Sequence, residues 1–174
     1  MRVQLYSIRD CKPGRVSIMA RPRGGDWLVD EVKDLAESGV GVVVSLLTAD
    51  EINELDLSEE ASFCEQQGII YRSLPIIDRS IPAFNTQTFT FLEQLHGQLM
   101  DGKHIVVHCR QGLGRAVLVA ASLLILNGFS PQQAVEQLSQ ARGYPVPETQ
   151  EQQEWVIAFA AHLQDVSKQS DLPM

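Results

Sequence analysis

The sequence predicts an α/β fold: a single domain with a central, mostly parallel sheet flanked by helices on both faces. Three observations carry that expectation. Short apolar, β-branched runs alternate with longer segments of helical periodicity, the pattern of repeated βαβ units. The run at 40–47 is almost continuously apolar, as strands covered on both sides are, and 104–108 is a short apolar strand. The 174 residues suit one domain, since domains commonly hold about 100–200.

Each element has its own reason. Residues 27–38 are expected to be helical because Leu28, Val32 and Leu35 share one stripe and Gly39 ends it. The strand at 40–47 follows. Residues 51–67 have helical spacing with a break near Asp56 and a stop at Gly68, and 69–76 read as a strand ending near Pro75. Phe89, Leu92, Leu95 and Leu99 recur at helical spacing over 86–100, and Asp101-Gly102 turns the chain into the strand at 104–108. An Ala- and Leu-rich helix over 116–127 closes at Gly128. Ser130 caps the next helix, with Pro131 in its first turn. A last helix is expected over 148–163, so the domain is assigned to 1–164 and residues 165–174 to a polar, fraying tail.

Composition narrows the function. Fourteen Lys and Arg against 22 Asp and Glu give a net charge of −8, the wrong sign for a protein whose main task is gripping nucleic acid or an anionic membrane. No apolar h-region opens the chain, and the longest apolar stretch, 116–126, falls short of a membrane span. The three cysteines, at 11, 64 and 109, form no CxxC pair, which argues against a disulfide framework or a cysteine zinc site. A cytoplasmic monomer without metal or cofactor is expected.

Ligands of open α/β sheets bind beyond the carboxyl ends of the strands, which directs attention to His108-Cys109-Arg110-Gln111-Gly112-Leu113-Gly114-Arg115. This segment leaves a buried strand and opens a helix, so several backbone N–H groups lack intrahelical partners and the helix dipole adds positive charge. Gly112 and Gly114 allow the backbone to approach a ligand closely. An anion cradle results. Cys109 stands at its lip, where the same field should lower the thiol pKa, and the Arg115 guanidinium can hold two phosphoryl oxygens at once. A thiolate beside an oxyanion site points to attack on phosphorus.

The loop His-Cys-x-x-Gly-x-x-Arg, Cys109 to Arg115 with His108 before it, resembles the signature of the cysteine-dependent protein tyrosine phosphatases. The chain is similar to their compact dual-specificity branch, notably bacterial members and the cyclin-kinase-associated phosphatase group, over about residues 20–155. The resemblance implies a protein tyrosine phosphatase-like fold, a phospho-cysteine mechanism without metal, and a phosphorylated protein or peptide substrate. It implies Cys109 as nucleophile and Arg115 as phosphate clamp. Asp78, 31 residues before the cysteine, becomes the general acid. His108, Arg110, Gln111, Gly112, Leu113 and Gly114 then form the substrate-binding loop, with His108 ordering it. Thr149-x-x-Gln152, followed by Trp155, resembles a further family stretch in which Gln152 orients the hydrolytic water; an ordinary polar helix face is the equal alternative.

One position departs from the pattern. Ala116 stands where the family usually has Ser or Thr, whose hydroxyl stabilises the departing thiolate. That keeps open a second reading, a phosphate-binding interaction module with little turnover. A sulfurtransferase or arsenate reductase, which also uses a loop cysteine, ranks lower because neither needs Asp78. Arg21-Pro22-Arg23-Gly24-Gly25 is a basic patch in an acidic chain, read as an exposed turn in preference to a substrate contact. Cys11 and Cys64 are weak candidates for a disulfide with Cys109 under oxidation.

Overall fold

The computed structural model describes residues 2–173. Five strands, β1 (Tyr6–Ser7), β2 (Arg15–Met19), β3 (Val42–Ser45), β4 (Ile70–Ser73) and β5 (His104–His108), make one sheet in the order β1-β2-β5-β3-β4. Only β1 is antiparallel to its neighbour. Alternation along the strands assigns each side chain to a core layer. Val16, Ile18, Val42, Val44, Ile105 and Val107 face one layer, and Met19, Val43 and Val106 face the other.

Helices α1 (Leu28–Glu37), α2 (Ala49–Glu54) and α3 (Glu60–Gln66) lie on the second face, where Leu28, Val32, Leu35, Leu57 and Cys64 complete a core. Helices α4 (Thr86–Met100), α5 (Arg115–Leu126), α6 (Pro131–Arg142) and α7 (Gln150–Ser170) cover the first. The parallel sheet with helices on both faces is the expected architecture. In α5 every residue from Arg115 to Leu124 is buried. This helix is enclosed by α4, α6, α7 and the sheet, which accounts for a sequence apolar all round.

The break expected near Asp56 is present: Asp56 takes a left-handed φ of 54° between α2 and α3. Other boundaries moved for identifiable reasons. The β1–β2 hairpin was not expected: Arg15 and Ser17 hide the strand pattern. Ser17 is nevertheless buried, its hydroxyl 2.7 Å from that of Ser7 and 2.7 Å from His104 Nε2, so these polar groups satisfy one another. Helix α7 continues past 163 to Ser170, with residues 164–170 exposed and no Gly or Pro to stop them. Among the described residues, no helix is long and apolar enough to cross a membrane.

Candidate active site

The loop between β5 and α5 is compressed from two sides, and its glycines answer that pressure. Gly112 has φ 74°, and a Cβ there would sit 2.7 Å from the Met19 carbonyl at the end of β2. A Cβ on Gly114 would sit 2.7 Å from Glu148 Oε1 and 2.8 Å from Gln152 Nε2. At Gly112 the clash is with backbone and the φ is left-handed, so a side chain is excluded; at Gly114 a side chain would have to displace Glu148 and Gln152. The Arg21 N–H donates to the Arg110 carbonyl at 3.2 Å, so the basic patch at 21–25 abuts the loop, while Arg23 is paired with Glu31 and stacked on Trp27.

Cys109 is 3% exposed, and its Sγ accepts the Gly112 N–H at 3.3 Å. It opens onto a cleft of about 200 Å³ whose walls include Asp78, Arg110, Leu113, Arg115 and Glu148. Arg115 is 1% exposed. Its Nη1 and Nη2 donate to the two oxygens of Glu51 at 2.8 and 2.9 Å, a fork-on-fork pair. Nη1 also donates to the Ile76 carbonyl at 2.7 Å, and Nη2 to Asp78 Oδ1 at 3.0 Å. Among the described residues its Nε–H has no partner. Nε and Nη2 thus form an edge on which only Asp78 now rests.

The electrostatics follow. Burial by itself would raise the Glu51 carboxyl pKa, but hydrogen bonds from Arg115, the Thr48 backbone and Arg110, with the Arg115 charge, bring it down to about 2. Burial would lower that of Arg115, yet Glu51, Cys109 and Asp78 raise it. Both partners are therefore ionised. Arg110 leans away along α2, to Glu51 at 3.4 Å and Glu54 at 3.2 Å.

Asp78 lies on the turn after β4 with its side chain 53% exposed. Its Oδ1 also accepts the Arg79 N–H, and Arg79 has φ 61°. Cys109, Arg115 and Asp78 thus come together with Arg110, Gln111, Leu113 and Gly114 on one cleft. His108 does not reach its wall. The ring is fully buried beneath the loop, with Nε2 2.7 Å from Glu60 Oε1 and Nδ1 3.3 Å from the Cys109 carbonyl. Gln152 is fully buried as well: its Oε1 accepts the Thr149 N–H at 3.3 Å, and its Nε2 donates to the Ser80 carbonyl at 3.1 Å. Ala116 is buried and brings no hydroxyl.

Glu51, Glu60 and Glu148 were not foreseen. Thr48-x-x-Glu51 is a capping box, and the carboxylate does accept the Thr48 N–H at 2.9 Å. That local signal was available; the second use of the same carboxylate, on a residue 64 positions away, has no local trace. Glu148 pairs with Arg79 at 3.5 Å across the cleft wall.

Comparison with known proteins agrees with this geometry. Residues 17–129 match a family described as "Polymorphic toxin system, DSP-PTPase phosphatase". The chain is 30% identical over 131 residues to cyclin-dependent kinase inhibitor 3 of Rattus norvegicus, covering 74% of this chain and 61% of that protein. Against the Homo sapiens protein of the same name it is 30% identical over 146 residues, covering 80% of this chain and 68% of that one. The chain thus spans about three-fifths of the length of the rat relative. Its fold matches kinase associated phosphatase, solved with the catalytic-site cysteine replaced by serine, at a TM-score of 0.83 and 23% identity over 94% of this chain and 97% of that one. Tk-PTP in its active form gives 0.71 and 26% over 86% and 93%. With the family match spanning well over half its length, the chain belongs to the DSP-PTPase phosphatases, the dual-specificity, protein tyrosine phosphatase-like family.

Proposed function

We propose that this chain hydrolyses phosphate monoesters of phosphoproteins, phosphotyrosine and also phosphoserine or phosphothreonine, through a phospho-cysteine intermediate. The observation that carries the reading is the Nε–Nη2 edge of buried Arg115, held in place by Glu51 beside Cys109. Two parallel N–H donors on a rigid guanidinium suit a phosphoryl group, and preorganised charge is the largest contribution an enzyme makes to such a transfer.

In the first step the Cys109 thiolate attacks phosphorus. The bond to the leaving oxygen breaks, and Asp78, as the acid, gives that oxygen its proton. In the second, Asp78 as carboxylate takes a proton from water, whose oxygen attacks phosphorus. The S–P bond breaks, the thiolate returns and phosphate leaves. Arg115 and the loop N–H groups hold the phosphoryl oxygens throughout. The nucleophile and the electrostatic work both come from the chain, so no metal or cofactor is required.

A phosphorylated protein-kinase segment is the first substrate to test, since the relatives are named for cyclin-dependent kinases. The net charge of −8 supports a target other than nucleic acid or membrane. Three unpaired cysteines support a reducing, cytoplasmic setting, and we take the enzyme to be a monomer. The test is hydrolysis of para-nitrophenyl phosphate over pH 5–8 with EDTA present. Turnover that survives EDTA, vanishes in Cys109→Ser and loses its basic limb in Asp78→Asn supports the mechanism. Ala116 favours one competing reading, a phosphate-binding module. Phosphate binding with neither burst nor turnover in the wild type would select it.

A further inference from the structure

We infer that Gln152 is a positioning residue for the turn that carries Asp78, acting through the Ser80 carbonyl and not through the hydrolytic water; the inference rests on the phosphatase reading above.

The turn itself is closed. Ser80 N–H donates to the Ile77 carbonyl at 2.9 Å, leaving Asp78 and Arg79 as its two central residues. Arg79 holds φ 61°, a left-handed conformation that side-chain-bearing residues adopt uncommonly and at a cost. Fixing the Ser80 carbonyl therefore fixes the carboxylate two residues earlier. The group that does so is the Gln152 amide, whose Nε2 donates to that carbonyl at 3.1 Å.

Gln152 is well braced for the task. It is the third residue of α7, its Oε1 accepts the Thr149 N–H, and its own N–H donates to Thr149 Oγ1 at 3.1 Å. The rotamer is set by this capping box. The same amide lies against Gly114, so it is wedged between the phosphate loop and the acid turn and contributes nothing to the cleft wall. Neighbouring contacts act in the same sense. Glu148 meets Arg79, Trp155 Nε1 donates to the Pro82 carbonyl at 3.1 Å, and Phe84 packs edge-on against Trp155 and His162. Glu148 and the first half of α7 up to His162 thus grip the chain from 79 to 84, while Arg115 grips Ile76 and Asp78.

The test compares two variants on two substrates. Gln152→Glu keeps the acceptor for Thr149 and loses the donor to Ser80; Gln152→Met loses both. Phenyl phosphate needs its leaving oxygen protonated, whereas 2,4-dinitrophenyl phosphate does not, and kcat/KM reports the first phosphoryl transfer alone. Both variants should lose about tenfold in kcat/KM on phenyl phosphate, less than about twofold on the dinitrophenyl ester, and should flatten the basic limb of the pH profile. Unchanged kcat/KM on both substrates with a lowered kcat would overturn the inference and assign Gln152 to the water. Equal losses on both substrates, in step with a fall in Tm, would overturn it too, as a packing defect. If Gln152→Met does not fold, Gln152→Glu decides alone, because it retains the cap. A wild type without EDTA-resistant, Cys109-dependent turnover defeats the phosphatase reading itself, and this inference with it.

Discussion

Glu51 and Arg115, 64 residues apart, face each other through two parallel hydrogen bonds of 2.8 and 2.9 Å, both side chains buried. The pair fixes the plane of the guanidinium, and that plane determines where its remaining donors, Nε and the second N–H of Nη2, are presented. Glu51 does not face the chemistry. It makes Arg115 a fixed instrument instead of a flexible cation.

Removing the charge but not the shape should show this. Glu51→Gln leaves Arg115 buried with a weaker partner, and breaking a buried ion pair costs about 3–5 kcal/mol. The retained hydrogen bond recovers part of that, so a loss of about 2–4 kcal/mol is expected in denaturant unfolding. Phosphatase kcat/KM should fall at least tenfold at a temperature where the variant is folded.

Stability should decline toward acid in two separate windows. Burial, with the Arg15 charge, pushes the His104 pKa down to about 4, against about 6.5 for the unfolded chain. Between those values the unfolded state binds the extra proton, so stability falls as pH drops from about 6.5 to about 4. The Glu51 carboxyl, held near 2, is protonated near 4.3 when unfolded, so its contribution is complete above that pH and disappears as pH falls toward 2. Unfolding midpoints from pH 7 to 3 should show both slopes, and His104→Gln should abolish the upper one alone.

Ala116 should make the second chemical step slow. A hydrogen bond to a charged group is worth about 1.5–3 kcal/mol, and about 1.4 kcal/mol is a factor of ten in rate. Rapid mixing of wild type with para-nitrophenyl phosphate should give a burst of nitrophenol followed by slow turnover. Ala116→Ser should raise the steady rate about tenfold and shrink the burst. A variant no faster than wild type would locate the slow step elsewhere.

The three thiols should separate cleanly under alkylation. Burial, followed by the nearby Glu60 charge, pushes Cys64 up to about 12, and burial also raises Cys11. Cys64 is packed in the core layer of α1 and α3, whereas Cys109 belongs to the layer on the other side of the sheet. Iodoacetamide at pH 7 should add one group per folded chain, at Cys109, with inorganic phosphate slowing the reaction. Peroxide treatment should leave Cys64 outside any disulfide with Cys109.

What the sequence could reveal divides along the same lines as the contacts. The segment from His104 to Arg115 was legible because everything needed is local: an apolar strand, two glycines and a helix start. Helix α4 was placed to the residue from its apolar spacing alone; the structure adds an Asn85 cap that accepts the Thr88 N–H. The hairpin of β1 and β2 was not, since Ser17 and His104 satisfy each other across 87 positions and neither announces the other. Asp78 could be singled out only through the family resemblance, which implies an acid about where Asp78 stands, 31 residues before Cys109. The tethers of its turn, Asp78 to Arg115, Arg79 to Glu148 and Ser80 to Gln152, could not, because each is a meeting of separate elements.

The order of the strands has a consequence for how long each half of the site persists. β5 is central, paired on both edges and buried throughout, so its amides should exchange with solvent only when the whole domain opens, and Cys109 directly follows it. β4 lies at the sheet's margin with exposed ends, and the segment carrying Asp78 hangs from it. The proposed nucleophile and the proposed acid therefore hang from the centre and from an edge of one sheet, and the contacts of α7 compensate for the difference.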